Sequence, residues 1–141
     1  MELGLKIVES AREELKTKFV HQGRCSKVGL DCAGLCVVSL KKIGIEAFDA
    51  SGYHTSPNEG VFISTVEKNC NLISFEELKA GDFLTFGFGS EAQHIAIVTE
   101  VEPKVKIIHA LSRVGYVTEH DLDATWKRML KRCYRLKNIE E

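Results

Sequence analysis

The sequence predicts an α+β fold in which helices come first and an antiparallel sheet follows. Apolar residues in the first half recur at helical spacing between capping residues. From Asp82 on the texture changes. "DFLTFGF", "HIAIVTEV", "KVKIIHAL" and "GYVTEH" are short β-branched or aromatic runs separated by turns. A run of strands after a run of helices is the α+β pattern. The 141 residues hold no repeat, low-complexity stretch or linker-like tract, so one domain, 1–141, is expected.

Residues 3–18 read as an amphipathic helix with Val8, Ala11 and Leu15 on one face. "HQGRCSKVGLD" reads as a loop. Asp31 is a good N-cap for a second helix running to about Ile43, with Gly44 at its C-cap. Leu35, Cys36, Val37, Val38, Leu40 and Ile43 cover most of its circumference, so it should be the buried central helix. "ASGYHTSPNEG" reads as a loop, and Asn58 caps a third helix to about Lys68. Ser74 and Glu77 form a Ser-x-x-Glu capping box, and a turn follows at Gly81 and Asp82. "DLDATW" reads as a helical turn and "RMLKRCYRL" as the last strand. Six Lys or Arg between Lys127 and Lys137 make that strand an exposed, solvated one.

Nineteen basic and 20 acidic residues leave a net charge of −1, so no global pull toward nucleic acid or membrane is expected. No apolar run reaches the length of a bilayer, so no membrane insertion is expected either. "MELGLKIVES" is not a signal peptide, which implies synthesis in the cytoplasm. Five cysteines, an odd count without an export signal, read as reduced thiols. Cys25, Cys32 and Cys36 lack the close pairs of a zinc site, so no metal is expected.

Three residues form a candidate catalytic set. Cys32 sits at the start of the buried helix, where the dipole favours a thiolate. His94 opens one strand and His109 nearly closes the next. A turn centred between Val101 and Glu102 would put them directly opposite. They would then share a face with Ala96, Val98, Val105 and Ile107, pointing at the core and the buried helix. Cys32 as nucleophile, His94 as its ion-pair partner and base, and His109 orienting the ring would make a thiol hydrolase. The Cys32 N–H could help stabilise an oxyanion. A core cysteine with two hydrogen-bonded histidines fits the same pattern.

Four motifs in order resemble the NlpC/P60 family of cysteine peptidases. "DCAGL" resembles the nucleophile motif and "LKAGDFLTF" the segment before the histidine strand. "HIAIVTE" resembles that strand, and "IIHA" the strand that supplies the third polar residue. The resemblance implies a minimal papain-like fold with Cys32 as nucleophile, His94 as base and His109 as orienting residue. It implies hydrolysis of peptidoglycan stem peptides at a γ-D-glutamyl–diaminopimelate type bond, with no cofactor. "FVHQGR" before "GLDCAGL" is similar to the subgroup encoded by phages, prophages and gene transfer agents. That implies phage-tail proteins as partners and incorporation into a phage-like particle acting at the cell wall. The chain departs from the family at Phe19, where many members carry a tyrosine, and at Ile95-Ala96 after the histidine. The 141 residues are filled by the motifs of one domain, so no SH3-like wall-binding module is expected. Other functions that fit are a tail-assembly scaffold retaining the fold and another thiol amide or ester hydrolase.

Further residues are candidates to line a substrate site. Gln22 is similar to a papain-type oxyanion donor, and His21 stands beside it. His54 in "GYHTSP" could line a cleft. Asp31, besides capping, could bind a substrate amine of the kind the family commonly requires. Cys36 reads as core, Cys70 and Cys133 as inert, Cys25 as a loop thiol, and His120 as a surface residue.

Overall fold

The computed structural model describes residues 2–46, 48, 59–87 and 94–137, the side chains of 59–62 apart. His54 and Asn58 lie outside the described residues.

Helix α1 spans Leu3–Arg12 and buries Gly4, Ile7, Val8, Ser10 and Ala11. It stops a turn and a half short of the expected residue 18, and Leu15 is 40% exposed rather than on the core face. The cause is Glu14, whose carboxylate is fully buried. It accepts from the Lys42 ammonium at 2.8 Å, the Thr17 hydroxyl at 3.2 Å, the Lys27 N–H at 2.9 Å and the Ser26 hydroxyl. Burial alone would raise its pKa; the Lys42 and Ser26 bonds and the Lys27 N–H outweigh that and hold it lowered. A charge so enclosed fixes the chain around it, and Lys16 turns with φ at +72°. The expected loop that follows contains a two-residue hairpin, β1 Arg24–Cys25 against β2 Gly29–Leu30.

Helix α2, Cys32–Lys41, is buried from Ala33 through Leu40, as its all-round apolar pattern predicts. Asp31 caps it by accepting from the Gly34 N–H at 2.6 Å. Gly34 itself is dictated by a close approach: a Cβ there would meet the Gly23 carbonyl oxygen at 2.0 Å. At the other end Gly44 takes φ +87°; Ile45 N–H donates to Leu40 O and Gly44 N–H to Lys41 O, a Schellman closure.

Helix α3, Glu59–Asn69, leads into β3, Cys70–Ile73, a strand the sequence pattern did not reveal. The Ser74–Glu77 box is formed, opening a single 3₁₀ turn, Phe75–Glu77. Then come β4 Phe83–Phe86, β5 His94–Glu100, β6 Lys106–Leu111, β7 Tyr116–Asp121, a short helix α4 Ala124–Met129, and β8 Leu130–Leu136. The six strands form one antiparallel sheet in the order β3-β8-β4-β5-β6-β7.

Strand β8 is therefore an interior strand, not the exposed one its basic residues suggest. Cys133, Tyr134 and Leu136 are buried, while Arg132 and Lys137 stay exposed. Arg135 reaches back to the buried Asp82, with Nε to Oδ1 and Nη2 to Oδ2 both at 2.9 Å. Asp82 also closes its turn by accepting from Lys79 N–H at 2.8 Å.

The sheet has two covered faces. Ile95, Ile97, Ile108, Ala110 and Val117 pack with α1 and α2 in the larger cluster. Leu84, Phe86, Ala96, Val98, Ile107 and Cys133 form a second, smaller cluster, edged by Phe75, Trp126, Met129 and Leu130. Among the described residues no helix is long and apolar enough to cross a membrane.

Candidate active site

The two histidines meet, but not as the simple hairpin predicts. Ile97 lies opposite Ile108 and Val98 opposite Ile107, which offsets the ladder by two positions from the expected register. Thr99 is an extra residue on β5, between Val98 opposite Ile107 and Glu100 opposite Lys106. An even offset keeps every side chain on its face. His94 and His109 become diagonal neighbours, with Nε2 of His94 2.7 Å from Nδ1 of His109.

That face is not the one packed on α2. His94 alternates with Ala96 and Val98, and His109 with Ile107, all on the side of the second cluster. The expectation that the histidines point at the buried helix is thus overturned: Ile95, Ile97 and Ile108 take that side. On β5, Ile95 and Ile97 carry more apolar surface than Ala96 and Val98, and they take the side of the larger cluster.

A third histidine joins the row. His120, expected at the surface, is half-buried, with its Nε2 2.8 Å from Nε2 of His109. It lies opposite Ile107 on β7, and Thr118 lies opposite His109, so His120 is one diagonal step from His109 on the same face. A turn centred between Arg113 and Val114, in "LSRVG", pairs Ile107 with His120 and is the signal in the sequence that points to it. His120 Nδ1 donates to the carbonyl of its neighbour Asp121 at 2.8 Å.

Trp126 covers the row. Asp123 caps α4 by accepting from Trp126 N–H at 3.0 Å, which sets the indole over the sheet. Its ring centre lies 5.7 Å from that of His94, 4.8 Å from His109, 5.9 Å from His120 and 5.1 Å from Phe86. Sequence reasoning placed a helical turn there but gave the tryptophan no part.

Burial sets the charge state. It pushes the His94 pKa down to about 4, with the Asp31 carboxylate pulling part of the way back. His109 is wholly buried and lowered further, first by desolvation and then by the neighbouring His94 and His120. Both rings are neutral at pH 7. Cys36, Cys70 and Cys133 are all pushed up by burial, Cys70 to about 12 and Cys133 to about 11, so these three thiols stay protonated.

Cys32 is half-buried and takes the first position of α2, where the N–H groups and the helix dipole favour negative charge. The effect of Asp31 on His94 puts the start of α2 within electrostatic reach of the start of β5. Asp31 is deeply engaged: besides Gly34 it accepts from Arg24 Nη1 at 2.9 Å and from Gln22 N–H at 3.1 Å. Its carboxylate thus braces the loop before Cys32, and a substrate amine would share it with Arg24. Arg24 had no role in the sequence reading, because its partner is seven residues away across a hairpin. Gln22 is exposed, with φ at +58°, and His21 is exposed beside it. Phe19 is half-buried against the larger cluster, with no hydroxyl to offer. No group of three or more His, Cys, Asp and Glu among the described residues could hold a metal ion; the row of histidines is linked ring to ring rather than converging on a centre.

Residues 16–135 match the NlpC/P60 family. The chain belongs to that family. Solved structures share the fold, with helices beside an antiparallel sheet. An NlpC/P60 family protein from Bacillus cereus ATCC 10987 superposes with a TM-score of 0.72 at 18% identity, over 94% of this chain and 40% of that one. The NlpC/p60 domain of the peptidoglycan hydrolase SagA gives 0.70 at 22% identity, over 94% and 98%. An N-acetylmuramoyl-L-alanine amidase from Bacteroides uniformis ATCC 8492 gives 0.70 at 12%, over 96% and 99%. The chain spans about two fifths of the length of several such relatives, including an NLP/P60 protein similar to lipoprotein from Staphylococcus aureus subsp. aureus Mu50, at 41%. None of the curated proteins matches the chain.

Proposed function

We propose that the protein is a cysteine hydrolase of cell-wall peptides, cutting peptidoglycan stem peptides at a γ-D-glutamyl–diaminopimelate type bond. The observation that carries this is the His94–His109 hydrogen bond on a sheet whose neighbouring helix begins with Asp31-Cys32, in a chain of the NlpC/P60 family. A peptidoglycan hydrolase domain and an amidase of the same fold support the substrate class.

The chemistry follows from the charge states. His94 is neutral at rest, so it acts as a general base rather than as half of a standing ion pair. It takes the Cys32 proton as sulfur attacks the amide carbonyl, and the oxyanion forms at the start of α2. His94 then gives that proton to the leaving amine, which leaves a thioester on Cys32. Water, its proton drawn by His94, hydrolyses the thioester and frees the carboxylate and the thiol. Neither a metal nor an organic cofactor enters this scheme. His21, Gln22, Asp31 and His54 are the residues proposed to line the substrate. "FVHQGR" before "GLDCAGL" supports a phage-encoded, tail-associated enzyme.

The test is digestion of purified muropeptides by the native protein and by Cys32→Ala, read by mass spectrometry. Fragments appearing only with the native protein establish the peptidase, and their masses separate an endopeptidase from an amidase. No fragments with a Cys32 that alkylates readily would redirect the search to another amide or ester. No fragments with an unreactive Cys32 would favour a scaffold, the reading to which Phe19 in place of the family tyrosine also leans.

A further inference from the structure

We propose that His120 is a positioning residue that sets the tautomer of the whole histidine row, leaving Nδ1 of His94 as the free base. The proposal rests on the reading of Cys32 and His94 as the reacting pair.

The Asp121 carbonyl can only accept, so the His120 Nδ1 at 2.8 Å from it carries the hydrogen. A neutral imidazole has one N–H, so Nε2 of His120 accepts. Nε2 of His109, 2.8 Å away, must then donate, and its Nδ1 accepts. Nε2 of His94, at 2.7 Å, donates in turn. The lone pair of His94 ends up on Nδ1, the nitrogen not occupied by His109 and so the one left for the thiol.

An imidazole in the orienting place differs from a carboxylate there. It can donate as well as accept, so by itself His109 fits His94 in either sense. The wrong sense, with Nδ1–H of His109 donating to His94, would force the His94 proton onto Nδ1 and remove the base. His109 has no exposed surface, so bulk water does not make the choice. The backbone carbonyl makes it, relayed through His120, and the Trp126 ring packed edge-on against His109 keeps the row in place.

The experiment measures iodoacetamide alkylation at the Cys32 peptide by mass spectrometry at pH 7, which needs no substrate. It is paired with ¹⁵N NMR of the ring nitrogens. His120→Phe keeps the ring but loses the acceptor. It should slow alkylation by about tenfold or more, the wrong tautomer in a serine triad costing about 10⁴ in rate. His120→Gln restores an acceptor through its amide oxygen and should recover most of the rate. In the native protein the ring spectra should show His94 protonated at Nε2 and bare at Nδ1, and His120→Phe should mix the two forms. A native ring pattern and rate in His120→Phe would overturn the proposal, as would a native His94 carrying its hydrogen on Nδ1. His94→Ala separates the two layers: alkylation unaffected by it refutes the reacting pair, while the ring spectra still decide the tautomer.

Discussion

The two faces of the sheet are built by different rules. On the α2 side, Ile95, Ile97 and Ile108 meet a helix buried from Ala33 to Leu40. There the energy is apolar surface removed from water, and any side chain of the right size serves. On the other side, three imidazoles run across β5, β6 and β7 under one indole. There each ring nitrogen has a designated partner, and a substitute of equal volume without the same donors and acceptors does not serve. The first face is specified by volume; the second, by the pairing of donors and acceptors.

The two faces should respond differently to substitution at their centres. His109→Leu should reduce muropeptide cleavage by about 10³-fold or more, and should cost about 1–3 kcal/mol of stability because Nε2 of His94 and Nε2 of His120 both lose their partner. Turnover assays beside urea unfolding check both halves; a variant that unfolds but, where folded, turns over normally would reverse the assignment. Leu40→Ala on the opposite face should do the converse. It should cost about 2–5 kcal/mol of stability with kcat/KM per folded molecule unchanged.

Acid separates the faces next. His94 and His109 bind protons in the unfolded chain below the usual histidine pKa of about 6.5, but burial keeps them neutral in the fold. The unfolded state therefore binds more protons, and stability falls as pH drops from about 6.5 toward the lowered folded values. At pH 5 the loss is roughly 2 kcal/mol per histidine, less than twice that for the coupled pair. Urea titrations at pH 7 and pH 5 measure it, and His109→Leu should flatten the dependence. In the same range the acid limb of kcat/KM should lie near about 4, where His94 protonates, rather than near 6.5.

The smallest effect concerns the junction of the faces. Asp31→Asn keeps an acceptor for the Gly34 N–H but removes the charge that faces Arg24 and reaches His94. The helix cap survives, so thermal stability should fall by only about 1 kcal/mol. The His94 pKa, followed by NMR, should fall further, because the charge that opposed desolvation is gone. An unchanged or higher value would show that Asp31 does not act on His94.

Much of the fold was legible because its signals are local. The Asp31 cap, the Ser74–Glu77 box, the apolar circumference of α2 and the β-branched runs of β4 to β7 each report their own conformation. Helix α1 was overrun past Arg12 because the residue that ends it, Glu14, is held by Lys42, Ser26 and Lys27 from distant segments. Strand β3 and the interior place of β8 were hidden for the same reason: each is defined by the other across the sheet. In the site, the pairing of His94 with His109 survived a register error because the offset was even.

Local patterns alone dictate the α+β order, the central helix opening with Asp31-Cys32, and the common face of His94 and His109. Those follow from periodicity, capping and strand alternation, which are properties of neighbours in the chain. Packing between distant segments turns this face away from α2, roofs it with Trp126 and extends the row with His120. These depend on which surface of a two-sided sheet buries more apolar area and on hydrogen bonds between strands, and neither is written in any single segment.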